Sequence, residues 1–534
     1  MAGERVYLYD TTLRDGAQTQ GVSFSSDEKA AIALELDRIG IDHIEAGWPG
    51  ANPTDDAFFA RPPKLESATL TAFGMTRRSG RSAANDPGLQ ALIQSPARAL
   101  CLVGKSWDFQ VDVALNIPRE ENLRLIEDSI AAVHAAKGEA LFDAEHFFDG
   151  FKANPDYALE CLAAAQRGGA RWLVLCDTNG GALPDEIERI VAHVAEKLPG
   201  AGLGIHCHND TGNAVANSLA AVRAGVRMVQ GTLNGLGERC GNANLVSIIP
   251  TLMLKMGYVT GIKDLAGLTR ISRDFDKRLN RIPDRFAPYV GASAFAHKGG
   301  LHASAVEKNP ACYEHVDPGK VGNKRTILIS DQAGRSNVLT RLRDFGIDVD
   351  AKDPRLDELV DVIKQRDVAG YAYDEADASF EMLVRRRLGM VPTYFKLEQV
   401  DVNNVLQYGE EDDIRTRSLA VVRLRFGRRA EDLVTEAADG TGPVHAFDLA
   451  LRKALEPRYP VIREIRLEDF RVHIINADLG TDAATRVLIR NERHGVPDWW
   501  TLGVSPSIIE ASVEALLDAF IYELYRSGVD SKYR

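Results

Sequence analysis

The 534-residue sequence predicts an α/β protein: a closed (β/α)8 TIM barrel, then a helical linker subdomain, then a smaller C-terminal α/β domain. Three observations carry this. The first half repeats one theme eight times, a short apolar run, a polar loop and a segment that is or could hold an amphipathic helix. Such alternation argues for a parallel sheet, and eight units over roughly 250 residues are the usual content of a closed barrel. The first apolar run ends in DTTLRDG. An open doubly wound sheet would carry a Gly-rich dinucleotide fingerprint there.

Taken in order, VYLYD opens the barrel and leads into the helical DEKAAIALELDRIG. HIEAGWP, TLTAFGMT and ALCLVGKS are the next three strands. ALFDAEHFFDG follows the helix ENLRLIEDSIAAVHAAKG, and RWLVLCDTNGG follows PDYALECLAAAQRGG. GLGIHCHND follows PDEIERIVAHVAEKL, and NAVANSLAAVRAG leads to MVQGTLNGLGERCGN. The barrel is therefore expected in residues 1–257. Residues 258–393 form the linker, first DLAGLTRISRDFDKRL, then the Gly-rich AFAHKGGLHASAV, then charged helical sequence from about Leu339 to Met390. In residues 394–534 the period changes. SLAVVRLRF alternates, with Val422, Leu424 and Phe426 on one face and Arg423 and Arg425 on the other, which is strand periodicity. RVHIINA and TRVLIRNE are further strands, and HAFDLALRKALEPRY is a helix. SPSIIEASVEALLDAFIYELYR is another, with Ile509, Val513, Leu516, Phe520 and Leu524 at helical spacing.

Bulk properties exclude several functions. At 45% hydrophobic and 26% charged, the composition is that of a globular protein. No apolar run approaches membrane-spanning length, so no membrane partner is expected. The N-terminal stretch MAGERVYLYDTTLRDG lacks a basic region followed by an apolar core, so the expected compartment is the cytoplasm. A net charge of −12 without a basic block argues against nucleic-acid binding, which needs clustered Lys and Arg. Small anions need only a local pocket. The six cysteines are scattered, without a CxxC pair, and fit free thiols.

In such a barrel the strands' C-terminal ends carry the chemistry. His206 and His208 are two apart on a strand and point the same way. Alone, HxH is a modest signal, since one imidazole can pack while the other meets solvent. Placed on the seventh strand, the pair gains the eighth and first strands as neighbours. Asp15 and Asn242 can then join it. Two neutral nitrogens, a carboxylate and an amide oxygen suit a divalent ion of intermediate hardness with open positions for substrate. Arg14 stands beside Asp15, as a stabiliser of a developing oxyanion or as a structural ion pair. Glu145 is an acid/base candidate or a partner of the metal shell, whereas His146 faces the other way. Thr178 offers a hydroxyl to a substrate carboxylate or acts near the next helix start. Asp210 is expected to cap the following helix. In HKGGLH, His302 is a candidate general base and His297 the more ordinary loop residue. Tyr313 assists proton transfer or packs. Leu102 and Thr76 are candidates for the substrate pocket, and Arg77, Arg78 and Arg81 for phosphate contacts or a solvated loop.

DTTLRDGAQ, HCHND and GLGERCGN, in this order and at matching strand ends, resemble the metal-dependent barrels that condense acetyl-CoA with 2-oxo acids. That family comprises the 2-isopropylmalate, homocitrate and citramalate synthases. GPVHAFDLALRKAL, LGTDAATRVLIR and TLGVSPSIIEASVEALLDAF resemble its dimeric regulatory domain, which leaves only the middle linker weakly matched. AEHFFDGFKANPDYAL and VLCDTNGG are similar to the citramalate branch, which uses pyruvate. Relatives with a His near the end of the fourth strand differ here, where Lys105, Ser106 and Trp107 stand, and no role is carried to these positions. The resemblance implies that Asp15, His206, His208 and Asn242 hold a divalent metal (Mg, Mn or Zn). It implies an oxyanion and substrate-positioning role for Arg14, an active-site role for Glu145, and a contact from Thr178 to the oxo-acid carboxylate. It assigns His302 and Tyr313, from beyond the barrel, to the enolisation of acetyl-CoA. It also implies a homodimer whose C-terminal domain binds an inhibitory amino acid, isoleucine for this branch, with leucine as the alternative that the residues leave open. The rivals are the same condensation on a larger oxo acid, a carbon–carbon lyase acting on a hydroxyacyl-CoA, and a non-catalytic metabolite sensor.

Overall fold

The computed structural model describes residues 3–297, 300–327, 335–350, 352–374, 376–408 and 414–533. They fall into two units, one running up to Phe295 and including His315–Arg325, the other containing Ala296–Glu314 and the chain from Thr326 onward.

The first unit is a closed barrel of eight parallel strands in sequence order: β1 (Tyr7–Asp10), β2 (His43–Glu45), β3 (Thr69–Met75), β4 (Ala99–Lys105), β5 (Ala140–Glu145), β6 (Trp172–Asp177), β7 (Leu203–Cys207) and β8 (Met228–Gly231). Tyr7 opposite Met228 closes the ring. Around it lie α1 (Ser26–Ile39), α2 (Pro53–Ala60), α3 (Pro87–Gln94), α4 (Arg119–Lys137), α5 (Pro155–Arg167), α6 (Pro184–Lys197), α7 (Ala214–Arg223) and α8 (Leu245–Leu254). Local chemistry fixes several helix starts. Ser25 and Glu28 form a reciprocal capping box on α1. Asn52, Asp86 and Asn154 accept from backbone N–H groups at the starts of α2, α3 and α5, each with Pro in the first turn.

The strands are buried on both faces, and for that reason they read as continuous apolar runs. Alternate residues still divide. Tyr9, Phe73, Cys101, Leu141, Val174 and Met228 belong to one buried cluster, in the lumen. Leu8, Leu100, Leu102, Phe142, Leu173 and Leu175 pack outward with the helices in another. Leu102 is therefore withdrawn as a pocket residue, because the two-residue period turns it away from the site that its neighbour Val103 lines.

In the second unit, Ala296–His297 pairs in parallel with Thr326–Ile327. Helices α9 (Gly300–Lys308), α10 (Arg335–Asp344), α11 (Arg355–Val368) and α12 (Asp377–Arg387) follow. Two antiparallel three-stranded sheets come next: β9 (Lys396–Tyr408), β10 (Ile414–Arg425) and β11 (Leu433–Gly440), then β12 (Arg466–Ile474), β13 (Thr485–Glu492) and β14 (Trp499–Ser505). They carry α13 (Pro443–Leu455) and α14 (Ile508–Arg526). Val422, Leu424 and Phe426 are buried, as their alternation requires. On α14, Leu516, Phe520 and Leu524 are buried, while Ile509 and Val513 are half-buried. Helices α10 to α12 share a core with Leu488 and Leu502 of the second sheet. No helix among the described residues is long and apolar enough to cross a membrane. All six cysteines are free.

Candidate active site

The turn after β1 is built by Asp10. Its buried carboxylate accepts from the Thr12 amide and hydroxyl, each at 2.9 Å. Burial pushes that carboxyl up to about 7 despite these bonds. Thr12 Oγ1 in turn accepts from the Leu233 amide at 2.8 Å, which ties the turn to the segment after β8. The turn places Arg14 and Asp15 at the barrel mouth. His206 is the penultimate residue of β7, and His208, just past the strand, forms an antiparallel bridge with Asn242.

These residues converge. Asp15 Oδ2 lies 3.2 Å from His206 Nε2 and 3.7 Å from His208 Nε2, and the two imidazole nitrogens are 3.3 Å apart. The Asn242 amide nitrogen is 2.8 Å from Asp15 Oδ2 and 3.2 Å from His206 Nε2. One ligand atom each from Asp15, His206 and His208 lies within 4.8 Å of the others, a spacing that can hold a metal ion. Asn242 Oδ1 is buried without a hydrogen-bond partner, so turning the amide over would bring a further oxygen ligand to the cluster. The donor set and the orphaned oxygen fit a divalent cation.

The electrostatics agree. Burial works against ionised Asp15, but the Arg14 guanidinium and His206 hold its carboxyl well below the usual range. Burial and the neighbouring His206 push His208 down to about 4, so it presents a neutral ring. Burial also lowers His206, but the hydrogen bond and charge of Asp15 more than offset it and the net shift is upward. His206 Nδ1 meets Gln230 Oε1 at 2.8 Å, and Gln230 Nε2 donates to Asp143 Oδ1 at 3.0 Å. Burial, against His206, pushes Asp143 up to about 6.

Arg14 is clamped on three sides. Its Nε donates to Glu45 Oε2 at 2.7 Å, its Nη1 lies 3.5 Å from Asp15, and its guanidinium carbon sits 3.8 Å from the Phe73 ring centroid. Glu45, fully buried at the end of β2, also accepts from Tyr9 at 2.6 Å and from Thr11. Glu145 pairs with Lys105, which faces it across the β4–β5 register. Thr178 Oγ1 accepts from the His146 amide at 2.8 Å, and no helix starts beside it, since α6 begins only at Pro184. His146 has φ 53° and binds Asp149 at 2.9 Å. A cleft of about 270 Å³ is lined by Arg14, Asp15, Glu145, Thr178, His206 and His208, with Trp48, Phe73, Met75 and Val103 as its apolar wall.

Several expectations change. Asp210 does not cap α7, but pairs with Arg239 at 2.7 Å, and Arg239 reaches the Thr178 carbonyl at 2.9 Å. Asn209 serves that helix start instead, accepting from the Ala214 amide at 3.1 Å. Arg77 is buried against Asp128 at 2.6 Å and the Arg81 carbonyl at 2.8 Å, so its guanidinium is taken up structurally. Thr76 lines a second cavity beside the cleft. His302 and Tyr313 are brought together, ring centroids 4.3 Å apart and both exposed, in the second unit and not in the barrel unit. His297 lies 3.2 Å from Glu314. Sequence reasoning missed Glu45, Asp143, Gln230 and Arg239, and noticed Lys105 without giving it a role. The period-2 rule could have found Glu45, Asp143 and Gln230 as polar residues facing the lumen.

Fold and site together define a barrel enzyme whose strand ends carry a carboxylate–imidazole cluster able to hold a metal ion. Comparison with known proteins agrees. The HMGL-like family model matches residues 5–274, the homocitrate synthase post-HMGL domain-like model residues 289–369, and the LeuA allosteric (dimerisation) domain residues 375–523. The chain is 49% identical to the (R)-citramalate synthase of Aquifex aeolicus over 98% of both chains. It is 46% identical to that of Synechocystis sp. over 97% of this chain and 96% of the relative. Identity to the 2-isopropylmalate synthase of Methanocaldococcus jannaschii is 31%, over 96% of this chain and 94% of the relative. The chain belongs to the HMGL-like family, in the group of the (R)-citramalate synthases.

Proposed function

We propose that the protein condenses acetyl-CoA with pyruvate and hydrolyses the thioester, giving (R)-citramalate and CoA. The observation that carries this is the gradient of similarity. Five (R)-citramalate synthases are 43–49% identical over nearly the whole chain, while relatives named 2-isopropylmalate synthase or probable 2-isopropylmalate synthase, and one named putative (R)-citramalate synthase, stand at 31–32%. In this reading residues 1–257 are catalytic, 258–393 link, and 394–534 dimerise and bind an effector. The compartment is the cytoplasm, the assembly a homodimer, and the pathway that of isoleucine, which acts as the feedback inhibitor.

Asp15, His206, His208 and Asn242 hold a divalent metal, Mg, Mn or Zn. When bound, such an ion polarises the ketone of the oxo acid. Thr178 orients the substrate. Its oxygen already accepts the His146 N–H, which leaves the hydroxyl proton to donate to the pyruvate carboxylate. His302 with Tyr313, or Glu145, takes a methyl proton from acetyl-CoA. The resulting enolate carbon bonds to the ketone carbon, and the ketone oxygen becomes an alkoxide facing Arg14. That guanidinium is held by Glu45 and Phe73 before charge develops, so little reorganisation is needed. Proton return to the alkoxide and attack of water on the thioester carbonyl then release CoA and citramalate.

The test is CoA release, read with a thiol reagent, across pyruvate, 2-oxoisovalerate and 2-oxoglutarate. Turnover is expected with pyruvate. Turnover only with a larger oxo acid defeats the citramalate reading, and cleavage of a hydroxyacyl-CoA without condensation favours a lyase.

A further inference from the structure

Two cavities meet where β4 and β5 end. One is the 270 Å³ cleft over the Asp15–His206–His208 cluster. The other, of about 160 Å³, has Leu115, Ile117 and Leu125 as apolar walls and Thr76 and Ser79 among its polar ones. Met75, Val103, Lys105 and Glu145 line both, so these four side chains are the partition between them. Its polar portion is the Lys105–Glu145 ion pair. The pair is anchored from behind: Asn122 Nδ2 donates to the Lys105 carbonyl at 2.9 Å, and Ser106 Oγ donates to the Glu145 carbonyl at 2.7 Å. Both side chains are less than a quarter exposed, at 17% and 24%.

We propose that the Lys105–Glu145 pair determines substrate specificity, closing the cleft against 2-oxo acids with branched or extended aliphatic side chains, and that the cavity behind it is a latent side-chain pocket. The inference rests on the condensing reading above. Pyruvate's methyl, the smallest side chain of the series, need not displace the pair. A longer aliphatic side chain aimed at Leu115, Ile117 and Leu125 would have to separate the opposite charges and leave each without its partner, and unpaired charge in a partly dry site is costly. The apolar room is therefore present but barred, and discrimination comes from a repulsive element as well as from fit.

The test uses the full-length protein loaded with its metal. kcat/KM is measured by CoA release for pyruvate, 2-oxobutyrate and 2-oxoisovalerate. Lys105→Ala should raise the 2-oxoisovalerate-to-pyruvate ratio about tenfold or more, the scale set by one or two methylenes in a pocket. Val103→Ala, which leaves the ion pair intact, should raise it less, and first for 2-oxobutyrate. Adding Leu125→Phe to Lys105→Ala should fill the chamber and return the ratio toward wild type. A ratio removes any general loss of turnover. An unchanged ratio in Lys105→Ala overturns the proposal, whatever Val103→Ala shows. If Lys105→Ala has no measurable turnover, calorimetric binding decides: the affinity for 2-oxoisovalerate relative to pyruvate should rise in that variant, and an unchanged relative affinity overturns the proposal equally. Absence of pyruvate turnover in the wild type is a separate result, which refutes the condensing reading before any variant is compared.

Discussion

His206 meets a carboxylate on one ring nitrogen and a neutral amide on the other. Gln230 Oε1 accepts from Nδ1 at 2.8 Å, which directs Nε2 toward Asp15 and the space a cation would fill. The amide cannot turn over freely, because its nitrogen is committed to Asp143 at 3.0 Å. Partners of this kind orient a ligating imidazole and set its tautomer. Gln230→Leu should therefore weaken Mn2+ binding to the full chain about 10- to 100-fold, and Gln230→Glu, which keeps an acceptor, should weaken it less. Mn2+ titration followed by electron paramagnetic resonance reads this directly. Equal affinities in the leucine variant and wild type would show that the bridge does not tune the site. Asp15, His206, His208 and Asn242 were legible in the sequence because strand-end motifs collect unusual residue types in one place. For Gln230 and Asp143 the strand period reveals only that a polar side chain faces the lumen; their pairing with each other and with His206 was not legible, since each partner lies on another strand. Lys105 was visible as a departure from relatives, but its meaning needed Glu145 opposite it.

Elements show the same division. The eight barrel strands were readable because each is apolar and bounded by a polar loop. In the second unit β9, β11 and β14 were missed. LVTEAADG and KLEQVDVNNVLQY are too polar to stand out, since each strand is only partly buried, and a strand with one wet face has a weak signal. Helix α1 shows how an element is fixed at both ends. Its start carries the Ser25–Glu28 capping box, and removing that hydroxyl in Ser25→Ala should cost about 1 kcal/mol in urea denaturation. Near its other end, buried Asp37 accepts the backbone N–H groups of Glu66, Ser67 and Ala68 at 2.6, 2.9 and 2.7 Å, which locks the helix to the approach of β3. Burial raises this carboxyl, but those donors together bring it below its ordinary 3.8. A folded-state value lower than the unfolded one contributes stability above the unfolded value and loses it as pH falls through the folded one. Asp37→Asn should thus destabilise the protein by roughly 1–3 kcal/mol at pH 7 and progressively less below pH 4. Urea curves at both pH values check this, and a gap that widens in acid would contradict it.

At the scale of the molecule, a barrel whose mouth carries the Asp15–His206–His208 cluster shares its chain with a second unit that matches the LeuA allosteric (dimerisation) domain. The second unit cannot be trimmed at will. Helices α10 to α12 bury Val338, Leu356 and Phe380 in one core with Leu488 and Leu502, so a cut near Tyr394 would strip that core and confuse loss of regulation with loss of folding. Regulation is better tested on the intact chain by asking where the effector binds. Isoleucine should inhibit CoA release more strongly than leucine. In hydrogen exchange it should slow amides within β9 to α14 and leave the strand ends at Asp15, His206 and Asn242 unprotected. Ligand binding adds stability only where it touches or orders the native state, so the map of protection is a map of the site. Coupling is reciprocal at equilibrium: an effector that lowers pyruvate affinity through the second unit must itself bind more weakly in the presence of pyruvate, by the same factor. Direct competition at the barrel would obey that reciprocity too, and only the position of the slowed amides separates the two. Protection confined to the barrel mouth would make isoleucine a substrate-site competitor and would leave the LeuA-type domain as a dimerisation device alone.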